Sequence, residues 1–220
     1  EKSVGFVKLS NSRTTIIIDA APPPMGKKAV KADASTLAFE MVSGQRRIFT
    51  SCGPGYLFGS NLSSASRQTS SHSVVYIDNQ NSSQFSDKES WLKISQKVLI
   101  NGPLNVPKEI SNDQGICIFE GAHDGYVKSH GLTHVRKLKL AQDGQTFEGE
   151  DLIIAIEDSH KRQFDKIAKK TSRGSLSVKA AFHLHPDVTL RWDQKKHFIS
   201  LALKNGEVWI FNYSSDFNLD

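Results

Sequence analysis

The stretch VGFVKLSNSRTTIIID (residues 4–19) decides the fold class. Apolar and polar residues alternate before the polar segment SNSR, and β-branched Thr and Ile dominate the residues that follow it. Two runs of this kind joined by a short polar segment predict a β-hairpin. The first residues of the chain therefore indicate antiparallel strands.

The same pattern continues along the chain. A second hairpin is predicted around VSGQ, and QDGQ and KNGE (residues 142–145 and 204–207) have the Asn/Asp-Gly chemistry of tight turns. Many short strands with regular turns and few helices predict one all-β domain over residues 1–220, a large antiparallel β-sandwich. Its core is expected to take the alternating apolar faces of residues 14–18, 91–100 and 178–184.

One segment has helical rather than strand spacing. In SHKRQFDKIAKK (residues 159–170), Phe164, Ile167 and Ala168 would share a helix face. The segment is very basic, so it is either a solvated connection between strands or a basic rim that contacts an anionic ligand.

The composition excludes several protein classes. The chain has 220 residues, 38% hydrophobic and 23% charged, as in an ordinary globular domain. No apolar run approaches the ~20 residues that span a bilayer, so no membrane span is predicted. The net charge of +5 suits an acidic partner, but no nucleic-acid-binding module is recognisable, and nucleic acid is not expected as a partner.

The two cysteines do not form a disulfide framework. Cys117 alternates with apolar residues in GICIFE, which predicts a free and buried side chain, and the same is expected of Cys52. Pairing of the two in an oxidising compartment is the alternative. The sequence opens at Glu1 without an initiator Met or a signal segment, so we expect a piece of a longer protein.

Five blocks in a fixed order carry a family resemblance. They are GFVKLSNSRTTIIIDAAPPP (residues 5–24), FTSCGPG (49–55), SHSVVYIDNQNSSQF (71–85), GAHDGYVKSHGLTHVRKLKLAQDGQTFEGED (121–151) and FHLHPDV (182–188). With them the chain resembles the C-terminal β-sandwich domain of the heparinase II/III-like polysaccharide lyases.

The resemblance implies one part of a toroid-plus-sandwich lyase. Such enzymes join an N-terminal α/α toroid to the sandwich and cleave uronic-acid-containing polysaccharides by β-elimination. The toroid carries the usual catalytic Asn and Tyr, so this chain alone is expected to be inactive. Its partners would be an acidic polysaccharide and the toroid of the same protein, in the bacterial periplasm. The alternative is a non-catalytic carbohydrate-binding or scaffolding sandwich.

His72 is the predicted catalytic residue. It stands in TSSHSVVYIDNQNSS (residues 69–83), before a short strand, and the small Ser70, Ser71 and Ser73 around it leave room for a ligand. An imidazole titrates near neutral pH and can act as an acid or a base. The alternative is a histidine that only caps the strand.

The resemblance also implies a divalent metal ion, with zinc favoured, held by two histidines and an aspartate. The candidates are His72, His123 and Asp78, with Asp87 or Asp124 as other aspartates. None has a spacing that diagnoses zinc by itself.

Two further site predictions come from FHLHP and GAHDGY. His183 and His185 alternate with apolar residues and share one strand face, which makes them the alternative metal pair. Tyr126 is predicted to face the substrate groove, although DGY would equally suit a turn with a packed ring.

Overall fold

The computed structural model describes residues 5–53, 55, 59–86, 97–170, 176–193 and 198–213. Strands dominate these ranges, with three short α-helices between them. The strands are β1 (Phe6–Asn11), β2 (Thr14–Asp19), β3 (Phe39–Ser43), β4 (Arg46–Phe49), β5 (Val75–Ile77), β6 (Gln84–Phe85), β7 (Leu99–Asn101), β8 (Lys108–Asp113), β9 (Ile116–Tyr126), β10 (Leu132–Leu140), β11 (Phe147–Ile154), β12 (Val178–Ala180), β13 (Thr189–Asp193), β14 (Phe198–Ala202) and β15 (Val208–Phe211). The helices are α1 (Ser60–Ala65), α2 (Val127–His130) and α3 (Asp158–Ala168).

Two four-stranded antiparallel sheets form the body of the domain. One has the order β1-β2-β3-β4, and the other has the order β11-β10-β9-β8. The predicted first hairpin is present, with Asn11 opposite Thr14. Leu9 and Ile16 of the first sheet pack in one core with Phe119 and Leu138 of the second. The predicted all-β antiparallel sandwich is confirmed.

Strand β2 shows how the sequence pattern produces this packing. Successive strand side chains point to opposite sheet faces. Ile16 and Ile18 accordingly have no exposed surface, whereas Ile17 between them is 38% exposed. Burial of an Ile side chain contributes about 1.5–3 kcal/mol, so the alternation fixes which face turns inward.

An extended segment after β12 lies along the outer strand β4. The amide of Thr50 donates to the His183 carbonyl, and the amide of His185 donates to the Ile48 carbonyl. Between these bonds, Leu184 forms an antiparallel bridge with Phe49. This pairing sets where His183 and His185 stand.

Some of the predicted core lies elsewhere. Strand β12 is exposed along its whole length, because it pairs only with the short β5. Of the predicted segment 178–184, Leu184 packs against the main core, and Phe182 contacts core phenylalanine rings. Of the segment 91–100, residues 91–96 lie outside the described residues, and Leu99 is buried in a separate small cluster.

The basic segment forms helix α3. Phe164 is half-buried against a small cluster around Ile77 and Tyr126, and no residue of the helix is fully buried. None of the described helices is both long enough and apolar enough to cross a membrane. Both cysteines are free. Cys117 is only partly buried, against the main core, whereas Cys52 is exposed, so its predicted burial is wrong because it lies on a loop rather than in a strand.

Asp19, at the end of β2, gives a testable pH dependence. Burial raises the pKa of its carboxyl group to about 6, although the hydrogen bond from Ser35 acts to lower that pKa. A raised pKa means that ionisation costs more in the folded state, so stability is lost as the pH rises through about 6. We expect Asp19→Asn to raise the free energy of unfolding by roughly 1–3 kcal/mol at pH 7.5 and by much less at pH 4. Urea denaturation at both pH values measures this, and an equal effect at both would contradict it.

Candidate functional site

His72 lies where three chain segments meet. It directly follows a 3-10 turn (Thr69–Ser71) and precedes β5. On one side the amide of Cys52 donates to the Ser71 carbonyl, and on the other the amide of His183 donates to the Ser73 hydroxyl. Residues far apart in sequence therefore enclose the imidazole, which is only 4% exposed. The small serines beside it do not leave it open to solvent.

One ring nitrogen of His72 is unused. Nδ1 lies 3.1 Å from the Ser51 hydroxyl, whereas Nε2 is buried and has no hydrogen-bond partner among the described residues. Burial, with a smaller effect of nearby His183, lowers the pKa of His72 to about 4. The ring is therefore neutral at pH 7. A buried polar atom without a partner costs about 1–3 kcal/mol, and a ligand that formed a hydrogen bond with this nitrogen would offset that cost.

His183 and Cys52 stand beside His72. His183 Nε2 donates to the Ser70 carbonyl over 2.7 Å, which leaves Nδ1 of the neutral ring as an acceptor. The Cys52 sulfur lies 3.7 Å from that Nδ1. The cluster of His72, Ser51, Cys52 and His183 is defined here as the His72 site.

A second polar network, buried except for the partly exposed Asp151, includes His123. Its Nε2 lies 3.1 Å from His134 Nδ1, and His134 Nε2 lies 2.7 Å from an Asp151 oxygen. Arg136 holds both Asp151 oxygens at 2.7 and 2.8 Å and also donates to the carbonyls of Leu37 and Ser73. The four side chains are defined here as the buried relay.

The hydrogen bonds of the buried relay run in one direction. His123 Nδ1 accepts the amide of Gly125, so its Nε2 carries the proton and donates to His134. His134 then donates to Asp151. A side chain at Gly125 would press on the Ser82 carbonyl and on His123, so glycine allows this close approach. Both histidines are held neutral, because burial lowers the pKa of each.

The described residues do not fit the predicted zinc site. The histidine that acts electrostatically on His72 is His183 rather than His123. Both ring nitrogens of His123 form hydrogen bonds, with Gly125 and with His134. Asp78 accepts the Ser177 amide in a turn and faces His130 at 3.6 Å. No group of three His, Cys, Asp or Glu side chains among the described residues is arranged to hold a metal ion. Zinc binding stays a prediction, and no step below involves a metal.

The two histidines of the alternative metal pair, His183 and His185, have different hydrogen-bond partners. His183 is bonded to Ser70 and Cys52, whereas Nδ1 of His185 accepts the Asp187 amide. Asp124 accepts the amides of Leu104 and Asn105. Asp87 lies outside the described residues.

Tyr126 points into the core rather than to a groove. Its ring has no exposed surface, and its hydroxyl donates to the Val75 carbonyl over 3.2 Å. It therefore corresponds to the turn-and-packed-ring alternative. β9 runs through GAHDGY without interruption until Tyr126, and this places the ring beneath β5.

The sequence did not reveal His134, Arg136 and Asp151 as one unit. In the sheet, His134 lies opposite His123, and Arg136 lies opposite Asp151. The i, i+2 spacing of His134 and Arg136 on β10 was the available signal, since such residues share a face. Without the register of the neighbouring strands, this spacing does not show which side chains are partners.

The fold and the site geometry allow a comparison with known proteins. Residues 2–219 match the model of the heparinase II/III-like C-terminal family. The chain belongs to this family. The family relationship covers both the His72 site and the buried relay.

The chain is similar to one protein in sequence and to another in structure. The chain is 30% identical over 184 residues to FtsZ-localized protein C of Caulobacter vibrioides, covering 83% of the chain and 30% of that protein. It also matches a heparinase III structure with a TM-score of 0.59 and 16% identity, over 92% of the chain and 26% of that structure. At this identity the structural match shows the fold alone. The chain spans less than a third of either relative.

Proposed function

We propose that this chain is the sandwich domain of a polysaccharide lyase acting on uronic-acid-containing polysaccharides, with His72 as its substrate-contacting residue. The observation that carries the proposal is the buried Nε2 of His72, to which no residue in the described part of the chain forms a hydrogen bond. The family relationship supports it, because the heparinase fold is shared over most of the chain.

The proposed β-elimination requires a neutral imidazole. β-Elimination removes the proton next to the uronate carboxylate and expels the neighbouring glycosidic oxygen. The low pKa keeps His72 unprotonated at pH 7, so Nε2 acts as a hydrogen-bond partner or proton acceptor rather than as a cation. Neutralising the substrate carboxylate then requires groups from another part of the protein. Because Nε2 is buried, substrate access requires the surrounding loops to shift, as active-site loops do.

The direct test is to incubate the full-length protein with heparin and, separately, with alginate. Cleavage by elimination leaves an unsaturated uronate that absorbs ultraviolet light, so the absorbance should rise with time. The 220-residue chain alone should give no rise, because the groups that neutralise the carboxylate would lie outside it. No product from either polymer, or equal turnover by the chain alone, would contradict this assignment.

A second candidate is a non-catalytic scaffolding role in which the protein localises with FtsZ. It is favoured by the 30% identity to FtsZ-localized protein C. It also agrees with the internal use of His123 and Tyr126, which turns two expected site residues into structural ones. Co-sedimentation of the full-length protein with polymerised FtsZ tests it. Binding to FtsZ without cleavage of any polymer would favour this role over the lyase.

A further inference from the structure

A basic pocket lies beside the start of β4, whereas the His72 site lies just beyond the end of that strand. Its volume is about 150 Å³, and Gln45, Arg46, Arg47, His185, Asp187, Leu203 and Lys204 line it. By liquid-water volume it has room for about five water molecules, enough for a carboxylate or sulfate group with part of a sugar ring. We call the cavity that these residues line the basic pocket.

The charges of the basic pocket are unbalanced. The lining residues carry three cationic side chains and one carboxylate, that of Asp187, which lies 2.5 Å from Lys204 Nζ. Lys204, followed by His185 and Arg46, holds the pKa of Asp187 below its usual range. Neither Arg46 nor Arg47 forms an ion pair or side-chain hydrogen bond with a described residue. Both guanidinium groups remain available for an oxyanion, which they bind through paired donors.

His185 adds a directed donor to the pocket. Its Nδ1 accepts the amide of Asp187, so the proton of the neutral ring lies on Nε2. No described residue accepts a hydrogen bond from that Nε2. The pocket therefore has an imidazole N–H in addition to its positive charge.

The pocket and the His72 site face the same side of the molecule. His183 belongs to the His72 site, and His185 lines the pocket. The two are separated by Leu184 in an extended segment, so their side chains share one face while Leu184 packs inward. Ser51 lies five positions after Arg46 and four after Arg47, just beyond the end of β4, which is about 15 Å at ~3.3 Å per residue. One extended chain of sugars can cover that distance.

We propose that the basic pocket binds a carboxylate or sulfate group of an acidic polysaccharide whose chain continues along β4 toward His72. This inference rests on the proposed substrate class, but it concerns binding and does not require cleavage. Arg46 and Arg47 contact the anionic group, and His185 Nε2 donates to the same group or to a sugar hydroxyl.

The test compares the chain with its Arg46→Gln/Arg47→Gln variant by calorimetric titration with a heparin hexasaccharide and an alginate hexasaccharide. We expect binding to weaken roughly tenfold, because two charge-assisted contacts are lost at a partly exposed site. Weaker binding of heparin alone identifies sulfate as the bound group, and weaker binding of both identifies the carboxylate. Binding should also weaken with added salt.

The matched control is Arg162→Gln/Lys166→Gln on helix α3, which removes the same charge from another exposed surface. It should leave the affinity nearly unchanged. Equal weakening by both double variants, weakening by the α3 variant alone, or unchanged binding in the pocket variant would overturn the proposal. The titration measures binding and not cleavage. A negative result in the lyase assay would therefore leave the interpretation of the titration unchanged.

Discussion

Replacing Arg136 with Met should destabilise the domain by about 3–5 kcal/mol, the usual cost of removing one partner from a buried ion pair. Arg136 is 1% exposed, and its loss leaves the Asp151 carboxylate and the carbonyls of Leu37 and Ser73 without their donors. For a domain of this size, the thermal midpoint should fall by roughly 10 °C or more. Thermal and urea unfolding followed by circular dichroism measure the change.

The pKa of Asp151 explains why this loss is large. Burial raises that pKa, but the Arg136 charge and the hydrogen bonds from His134 and Arg136 outweigh it and hold the pKa well below its usual range. Without Arg136, burial dominates, and the carboxyl should take up a proton at a higher pH. The variant should therefore lose more stability at pH 8 than at pH 5.

Two further variants separate the ion pair from general damage to β10 and β11. Glu148→Ala removes an exposed carboxylate from β11 and should change stability by less than about 1 kcal/mol. The double variant Arg136→Met/Asp151→Leu removes both charges and should cost less than the sum of the single changes. Additive losses would show that the two side chains are not energetically coupled.

The fold was predictable because its strands follow local patterns. The alternation in residues 4–19 corresponds directly to the inward faces of β1 and β2, and Leu138 and Leu140 follow the same rule at the end of β10. At the start of β10 the inward positions are instead taken by the polar His134 and Arg136. Strand β8 and strand β12 are exposed along their whole length, so burial cannot impose a pattern on them. Where a strand lies at an edge or pairs with a short partner, its sequence gives little information about its neighbours.

The candidate site was predictable only in part because burial there comes from distant segments. Three small serines around His72 suggested an open imidazole, yet Ser51 and His183 are 21 and 111 positions away in the chain and enclose it. His123 likewise looked available, but its partner His134 depends on the register of β9 and β10. The residue types were recognisable, while their partners required the three-dimensional pairing.

His72→Asn in the full-length protein should lower turnover of a uronate polymer by about 10²–10⁴-fold, the usual effect of losing a general acid or base. Asn can keep the contact that Nδ1 makes with Ser51, but it has no atom at the position of Nε2. Initial rates measured from the ultraviolet absorbance of the product give kcat and KM separately. A proton-transfer role predicts a fall mainly in kcat.

The stability of the same variant distinguishes a catalytic from a structural histidine. Nε2 forms no hydrogen bond with the residues that the structure describes, so removing it also removes a buried polar atom that lacks a partner there. Such a change costs little, and we expect the thermal midpoint to shift by only a few degrees. His160→Asn is the control, because it makes the same change of residue type on helix α3, away from the His72 site. It should leave turnover intact. If His72→Asn unfolds the protein more easily while kcat is retained, His72 holds the three segments together and does not contact the substrate.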